Sequence, residues 1–406
     1  MMQTKTVRAF SSPSAIEGFM SRLVSLILFM VAGLSQTGCQ NQDSYVPPDL
    51  VYLYRTYSVG KNPTSIKQGD FNEDGFADLI TSNIRDNSLS LLLGNGDGSF
   101  QDQKVIPVCQ EPRNLAIEDL NLDGHMDVVV ACSGSNQVAV FVGTGSGSFS
   151  LMARYPVRRT PVSIAVGDYN EDQIPDFVAA LRNDKLQIFL GMGTGKFRFG
   201  PLYEYGDTPT SVATADLNRD GHLDLAVTNG GPMSSAVSIW LGRGDGTFNE
   251  PTDYRTGKRP LSVSFADFNN DRILDLLVVN GEMNTISIFL GNGDGTFQEE
   301  KDVGGDAGPI DGLAQDFNGD GVPDLAIVNI QSGSVSLLFG KGDGTFYYPP
   351  RHYATPYGPF AITSLSVAAD RHEAPGLAIA NNAASSVSIF LHHGLRTRVS
   401  ETAPVS

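Results

Sequence analysis

The chain is poor in the residues that usually announce a nucleic-acid binder, a helical bundle or a metalloenzyme. Lys and Arg number 28 against 45 acids, a formal charge of −17. A basic face for nucleic acid is therefore missing. Glu is scarce: 12 of the acids are Glu and 33 are Asp. Helix surfaces favour Glu, because Asp competes for nearby backbone donors and prefers caps and turns. His is limited to six, Cys to three and Trp to one. No HExxH, Gly-x-Ser-x-Gly or Walker sequence occurs. Charged residues are only 18% of the chain and hydrophobic ones 41%, which excludes an acidic disordered tail and suffices for a large core.

Long apolar runs are also lacking. Leu23 to Leu34 offers 12 apolar or small residues, short of the roughly 20 that span a bilayer. Small and polar residues follow, then Cys39. This is the layout of a secretory signal peptide over residues 1–38, with 39–50 as a tether. Gln36-Thr37-Gly38-Cys39 resembles a bacterial lipobox, departing from it at Gln36, so lipidation of Cys39 is expected. Plain secretion and a retained anchor are the other readings. Met20-Ser21-Arg22 would make a compact charged start by itself, so translation from Met20 is a further expectation. Contact with a membrane is expected only through the lipid.

What is abundant is Asp and Gly in a repeat. The line Asp-x-Asn-x-Asp-x-x-x-Asp recurs with its first Asp at 70, 119, 168, 216, 267 and 316, spaced by 49, 49, 48, 51 and 49 residues. Each unit opens on a Pro-led segment such as Pro161-Val162-Ser163-Ile164. The acidic loop follows, then an apolar run and an alternating run. A Gly-rich turn ending in Phe comes next, as in GNGDGSF at 94–100 and GRGDGTF at 242–248. A short polar strand closes the unit. Four short strands per unit, with turn residues at fixed offsets and no helical period, read as blades of a β-propeller. The seventh copy stops after its third strand, Ser386–Leu391. An orphan fourth strand, Val51–Val59, lies at the other end and matches 252–257 before its Pro segment. The expected fold is all-β: a seven-bladed propeller of four-stranded antiparallel blades over 51–394, closed by the N-terminal strand, with a tail at 395–406.

The acidic loops carry the chemistry. Ca²⁺ takes six to eight oxygens, and positions 1, 3, 5 and 9 of each loop supply carboxylates or an Asn oxygen, with the position-7 carbonyl adding another. The expected ligands are Asp70, Asn72, Asp74, Phe76 and Asp78 in the first loop, and Asp119, Asn121, Asp123, His125 and Asp127 in the second. Asp168, Asn170, Asp172, Ile174 and Asp176 form the third; Asp216, Asn218, Asp220, His222 and Asp224 the fourth. Asp267, Asn269, Asp271, Ile273 and Asp275 form the fifth; Asp316, Asn318, Asp320, Val322 and Asp324 the sixth. Up to six structural Ca²⁺ are thus expected. An Asp/Asn turn without metal is the alternative. Position 6 calls for positive φ, met by Gly75, Gly124, Gly221 and Gly321. Gln173 and Arg272 stand there in loops three and five, so weaker binding or a different turn is expected. The seventh loop offers Ala368, Asp370, His372 and Gly376, and no metal is expected there.

These repeats resemble the FG-GAP (VCBS-like) family of integrin α-subunit propellers and many bacterial exported proteins. The resemblance implies a seven-bladed propeller with calcium in the strand-connecting loops, used for extracellular binding and adhesion. The expected function is a non-enzymatic, exported module at the cell surface of a bacterial envelope, with a protein or glycan ligand bound away from the calcium loops or at the channel mouth. A carbohydrate-binding or polysaccharide-lyase propeller and a structural envelope component are the alternatives. No catalytic residue is assigned.

Several conspicuous residues read as structural. His125 and His222 occupy position 7, where the carbonyl matters. His392 and His393 end the last strand. Arg243-Gly244-Asp245 falls on the hairpin turn that reads Asn-Gly-Asp or Lys-Gly-Asp elsewhere. Trp240 aligns with Phe141, Phe189, Phe289 and Phe390 as a core position. Cys109 and Cys132 fall on the face opposite the acidic loops, and in an exported protein a disulfide between them is expected.

Overall fold

The computed structural model describes residues 51–182, 185–231, 234–367 and 375–392. The signal segment 1–38, Met20, Cys39, the tether, His393 and the tail from 395 lie outside them, as do Ala368, Asp370 and His372. The described residues form 28 strands and no helix. They make seven four-stranded antiparallel sheets.

Each blade runs from the centre outward in chain order. Blade one is Pro63–Gly69, Asp78–Asn83, Ser88–Leu92 and Lys104–Pro107. Blades two to six begin at Pro112, Pro161, Pro209, Pro260 and Pro309. Blade seven takes Pro359–Leu365, Gly376–Asn381 and Ser386–His392 from the C-terminal end and Val51–Ser58 from the N-terminal end. The orphan strand therefore closes the ring: Val51 pairs with His392 and Ser58 with Ser386. The closure gives blade seven the same four strands as the others, with the N-terminal strand as its outer edge.

The second and third strands are buried on both faces, as their continuous apolar runs require. Each core cluster is shared between two neighbouring blades. Ile66, Leu79 and Leu92 of blade one, for example, pack with Ala378, Ile389 and Leu391 of blade seven. Trp240 is buried edge-on to Tyr203 and Tyr205, inside the blade.

The first strand of every blade starts with the same irregularity. Pro pairs with the last residue of the second strand, one residue is skipped, and the ladder resumes. Pro cannot donate to a ladder, so it sits at a strand's first residue or beside a bulge. The skipped residues are Thr64, Arg113, Val162, Thr210, Leu261, Ile310 and Phe360, and all seven line the central cavity.

Candidate metal centres

The acidic loops join the first and second strands on one face of the ring. Within each loop the side chains satisfy the backbone in the same way. The position-1 carboxylate accepts the position-6 N–H, as in Gly75 N to Asp70 Oδ2 at 2.9 Å. The position-3 amide donates to the position-5 carboxylate, Asn72 to Asp74 at 2.8 Å. The position-5 carboxylate accepts the position-7 N–H, Phe76 N to Asp74 Oδ1 at 2.9 Å. Loops three and five turn no differently. Gln173 and Arg272 adopt φ of 65° and 66° and donate to Asp168 and Asp267 as glycine does elsewhere. A Cβ on Gly75, Gly124, Gly221 or Gly321 would meet nothing within 4 Å, so the requirement is on φ, not on space. The sequence did not betray a second left-handed residue, position 4, filled by Glu73, Leu122, Glu171, Arg219 and Asn270 at φ of 59° to 63°.

Position 9 is a different kind of residue. Asp78, Asp127, Asp176, Asp224, Asp275 and Asp324 are all fully buried. One oxygen of each accepts the position-2 N–H of its own loop, as in Phe71 N to Asp78 Oδ2 at 2.9 Å. The other accepts the N–H of the first glycine in the Gly-rich turn, Gly94 N to Asp78 Oδ1 at 2.8 Å. The carboxylate thus clamps the two turns of one blade together. Burial pushes Asp78 up to about 6 and Asp324 to about 7, against the pull of the two N–H donors, and the neighbouring loop charges add to the rise.

The Gly-rich turn is explained by these contacts. A Cβ on its first glycine would lie 2.2 Å from the position-8 carbonyl oxygen at Gly94. Its third glycine donates to the position-2 carbonyl of the preceding blade, as Gly147 does to Phe71 at 2.8 Å and Gly246 to Tyr169 at 2.8 Å. The Phe that ends it donates its N–H to a Tyr of the preceding blade's fourth strand at Phe100, Phe197, Phe248 and Phe297: Phe197 to Tyr155 at 2.7 Å, for example, and Phe100 to Tyr57 across the closure at 2.9 Å. In the RGD string, Asp245 accepts from Thr247, as Asp294 does from Thr296 and Asp343 from Thr345.

Neighbouring loops also touch. Glu73, at position 4 of loop one, pairs with the ring of His125, at position 7 of loop two. Glu171 and His222 repeat this between loops three and four. The carboxylate partner raises each imidazole. Leu122 and Ile174 flank Gly193 at the intervening junction. The His side chains therefore have a role beyond their carbonyls. The signal was present in the sequence, since acid at position 4 is matched with His at position 7 one repeat later, and Leu with Ile.

As metal centres the loops bring positions 1, 3 and 5 together while position 9 turns into the blade. Among the described residues no group of three or more His, Cys, Asp or Glu side chains closes on a common point. The donor set nevertheless fits a hard cation. It is all oxygen, and a carboxylate oxygen that accepts one N–H keeps a second acceptor site. In loop four, Asp216 Oδ1 is buried with no hydrogen-bond partner, whereas the same atom of Asp70, Asp119, Asp168, Asp267 and Asp316 accepts the position-5 N–H. Gly376 replaces the position-9 Asp in blade seven, so that blade has no carboxylate clamp.

A family model described as the FG-GAP-like repeat matches residues 70–130, 119–179, 168–227, 220–278, 267–327 and 316–370. The chain belongs to the FG-GAP-like repeat family. Comparison of this FG-GAP-like chain with curated proteins gave no match. Among solved structures, BBS1N in complex with ARL6DN is similar at 10% identity and a TM-score of 0.61, covering 84% of this chain and 97% of that one. A catalytically inactive virginiamycin B lyase from Staphylococcus aureus with quinupristin is similar at 14% identity and 0.56, covering 83% and 99%. A protein from Lactobacillus plantarum is similar at 14% and 0.58, covering 75% and 88%. At these identities the likeness is one of fold.

On the opposite face, Cys109 in the link entering blade two and Cys132 at the end of that blade's second strand are bonded, with Cα atoms 5.7 Å apart.

Proposed function

We propose that this chain is an exported, calcium-loaded propeller that acts as a non-enzymatic binding and adhesion module at the cell surface, tethered by lipid at Cys39. The observation that carries the reading is the sixfold repetition of one all-oxygen donor set on a single face, with Asp216 Oδ1 left buried and unpaired. In each loop the side chains at positions 1, 3, 5 and 9 and the position-7 carbonyl would hold the ion. Calcium would supply charge neutralisation among three carboxylates and a tie between two strands. The FG-GAP-like repeat supports a binding role, whereas the fold alone is shared with a lyase and with a partner-bound protein and assigns none. Export is supported by the Leu23–Leu34 segment and by the Cys109–Cys132 bond, since disulfides persist in oxidising compartments. The net charge of −17 argues against nucleic acid as the partner and leaves a protein or a glycan.

Calorimetric titration of chelator-treated protein with Ca²⁺, followed by thermal melts with and without EGTA, tests the metal. Loss of calcium should lower Tm by more than about 5 °C, because ligands that bind only the native state stabilise it. An unchanged Tm together with no heat of binding would remove calcium from the proposal. A glycan array and chemical cross-linking at the intact envelope then separate the two partner classes. Recovery of the chain in the cytoplasmic fraction alone would contradict export.

A further inference from the structure

The central cavity, about 850 Å³, is lined by the first strands of the seven blades. Its volume falls within the usual range for small-molecule sites. At the mouth opposite the acidic loops stand the seven skipped residues of the first strands. Bulges re-aim side chains and recur beside functional sites. Here the residue type differs around the ring. Blades five, six and seven contribute Leu261, Ile310 and Phe360, an apolar arc. Blade two contributes Arg113, and the hairpin of blade three brings Arg182 to the same lining.

These guanidinium groups are unspent. Neither Arg113 nor Arg182 makes a side-chain hydrogen bond or ion pair with a described residue; their recorded bonds are through the backbone, such as Thr64 Oγ1 to Arg113 O at 2.8 Å. Burial and the charge of Arg182 both disfavour the cationic form of Arg113, and Glu111 offsets this only in part. Arg259 adds a third cation to the lining. It stands at φ 57° just before Pro260, a left-handed position shared by Asn62, Glu111, Thr208, Gly308 and Gly358 before the prolines of five other blades. The lining also holds Glu118 and Asp311, the latter taken by Ser262 and by the N–H groups of Gly312 and Ile362. Among the described residues no carboxylate pairs with Arg113 or Arg182, so two like charges in this mouth, facing an apolar arc, are open to the oxygens of an anion.

We propose that this mouth binds a small organic anion, its acidic head on Arg113 and Arg182 and its apolar body against Leu261, Ile310 and Phe360. The site is independent of the acidic loops. It rests on the reading of the propeller as a binding module and names the ligand class for one surface of it.

The test is calorimetry on the full chain in calcium with decanoate as the probe, kept below its micelle range. Acetate carries the head alone, and decyltrimethylammonium carries the body with the wrong charge. Decanoate should bind at least tenfold tighter than either. Arg113→Gln combined with Arg182→Gln should weaken decanoate by about tenfold or more, the usual loss for a charge-assisted hydrogen bond. Should that pair of changes lower the melting temperature, Arg182→Glu alone, on an exposed side chain, gives the same reading at smaller amplitude. Equal affinity of the Arg variants and the parent for decanoate, equal binding of the cationic probe, or no decanoate binding at all would each overturn the proposal. A chain that ignores decanoate yet retains a glycan or cross-linked partner would leave the binding-module reading intact.

Discussion

The two faces of the ring are built on opposite plans. On the acidic-loop face the side-chain contacts recur around the ring: a buried Asp clamps two turns in six blades, a third glycine reaches back to the preceding loop, and position 4 meets position 7 of the next loop, as Glu with His in two places. On the other face the main chain repeats as well, since the residue after each second strand donates to the carbonyl of the residue before each Pro, but the side chains of the links differ. One carries a disulfide, another the paired amides of Asn62 and Asn382 at 2.9 Å, and another Lys258 and Arg259 before Pro260. The contrast teaches where to look for each property. A contact repeated in every blade assembles the ring, and any cation it holds serves that assembly. A residue that appears once in seven equivalent places is available for recognition. The regular face should therefore be the sensitive one for stability, and the irregular face the tolerant one.

The largest test of this contrast is Asp324→Ala. Both oxygens of Asp324 are taken by backbone donors, Phe317 N at 2.9 Å and Gly340 N at 2.9 Å. Its removal orphans two buried N–H groups and should cost about 3–5 kcal/mol. Urea unfolding in EGTA isolates this from any metal effect. Asp320→Ala, on the exposed part of the same loop, should cost far less in EGTA and should matter only when calcium is present. If the two variants are equally harmful in chelator, position 9 clamps the turns no more strongly than position 5 does, and the contrast between them fails.

The matching test on the irregular face is Cys109→Ser with Cys132→Ser. The bond joins residues 23 apart, and closing a loop of that size stabilises by about 2–4 kcal/mol, chiefly through the unfolded chain. The loss should appear as a lower urea midpoint with calcium affinity unchanged, because no acidic loop lies on that face. A fall in calcium affinity in the Ser variant would mean that the two faces are coupled.

The architecture was legible because every blade repeats the same turn chemistry. The Pro-led start, the Gly-rich turn and the 49-residue period fix strand order, and the match of Val51–Val59 to the segment before Pro260 located the closing strand. The double role of position 9 was not legible. Spacing shows that an Asp is required there, but its partner Gly94 lies 16 residues on, across two strands. Position 4 was hidden for a different reason: Glu73, Leu122 and Arg219 are not residues that signal left-handed backbone, and only Asn270 and Gly319 hint at it. The ring of skipped residues was invisible too, since a bulge is a property of hydrogen-bond register. Arg113 reads in sequence as an ordinary strand residue.

The smallest effect concerns backbone conformation alone. Gln173 occupies φ 65° where four other loops have glycine, yet it makes the same bond to Asp168 at 2.8 Å. Gln173→Gly would relieve the clash of Cβ with the backbone, worth about 1–2 kcal/mol for left-handed residues, while adding freedom to the unfolded chain worth up to about 1 kcal/mol. The first term is the larger, so the variant should gain about 0.5–1 kcal/mol in EGTA. Gly75→Ala should lose a similar amount by the same argument run backwards, because open space around Gly75 leaves φ as the only obstacle. Opposite signs for these two changes in urea midpoints would show that loop three accepts the cost of a non-glycine residue to keep the same turn. If both destabilise, the Gln173 side chain does something for the loop that its backbone does not reveal, and the uniformity of the acidic face stops at the main chain.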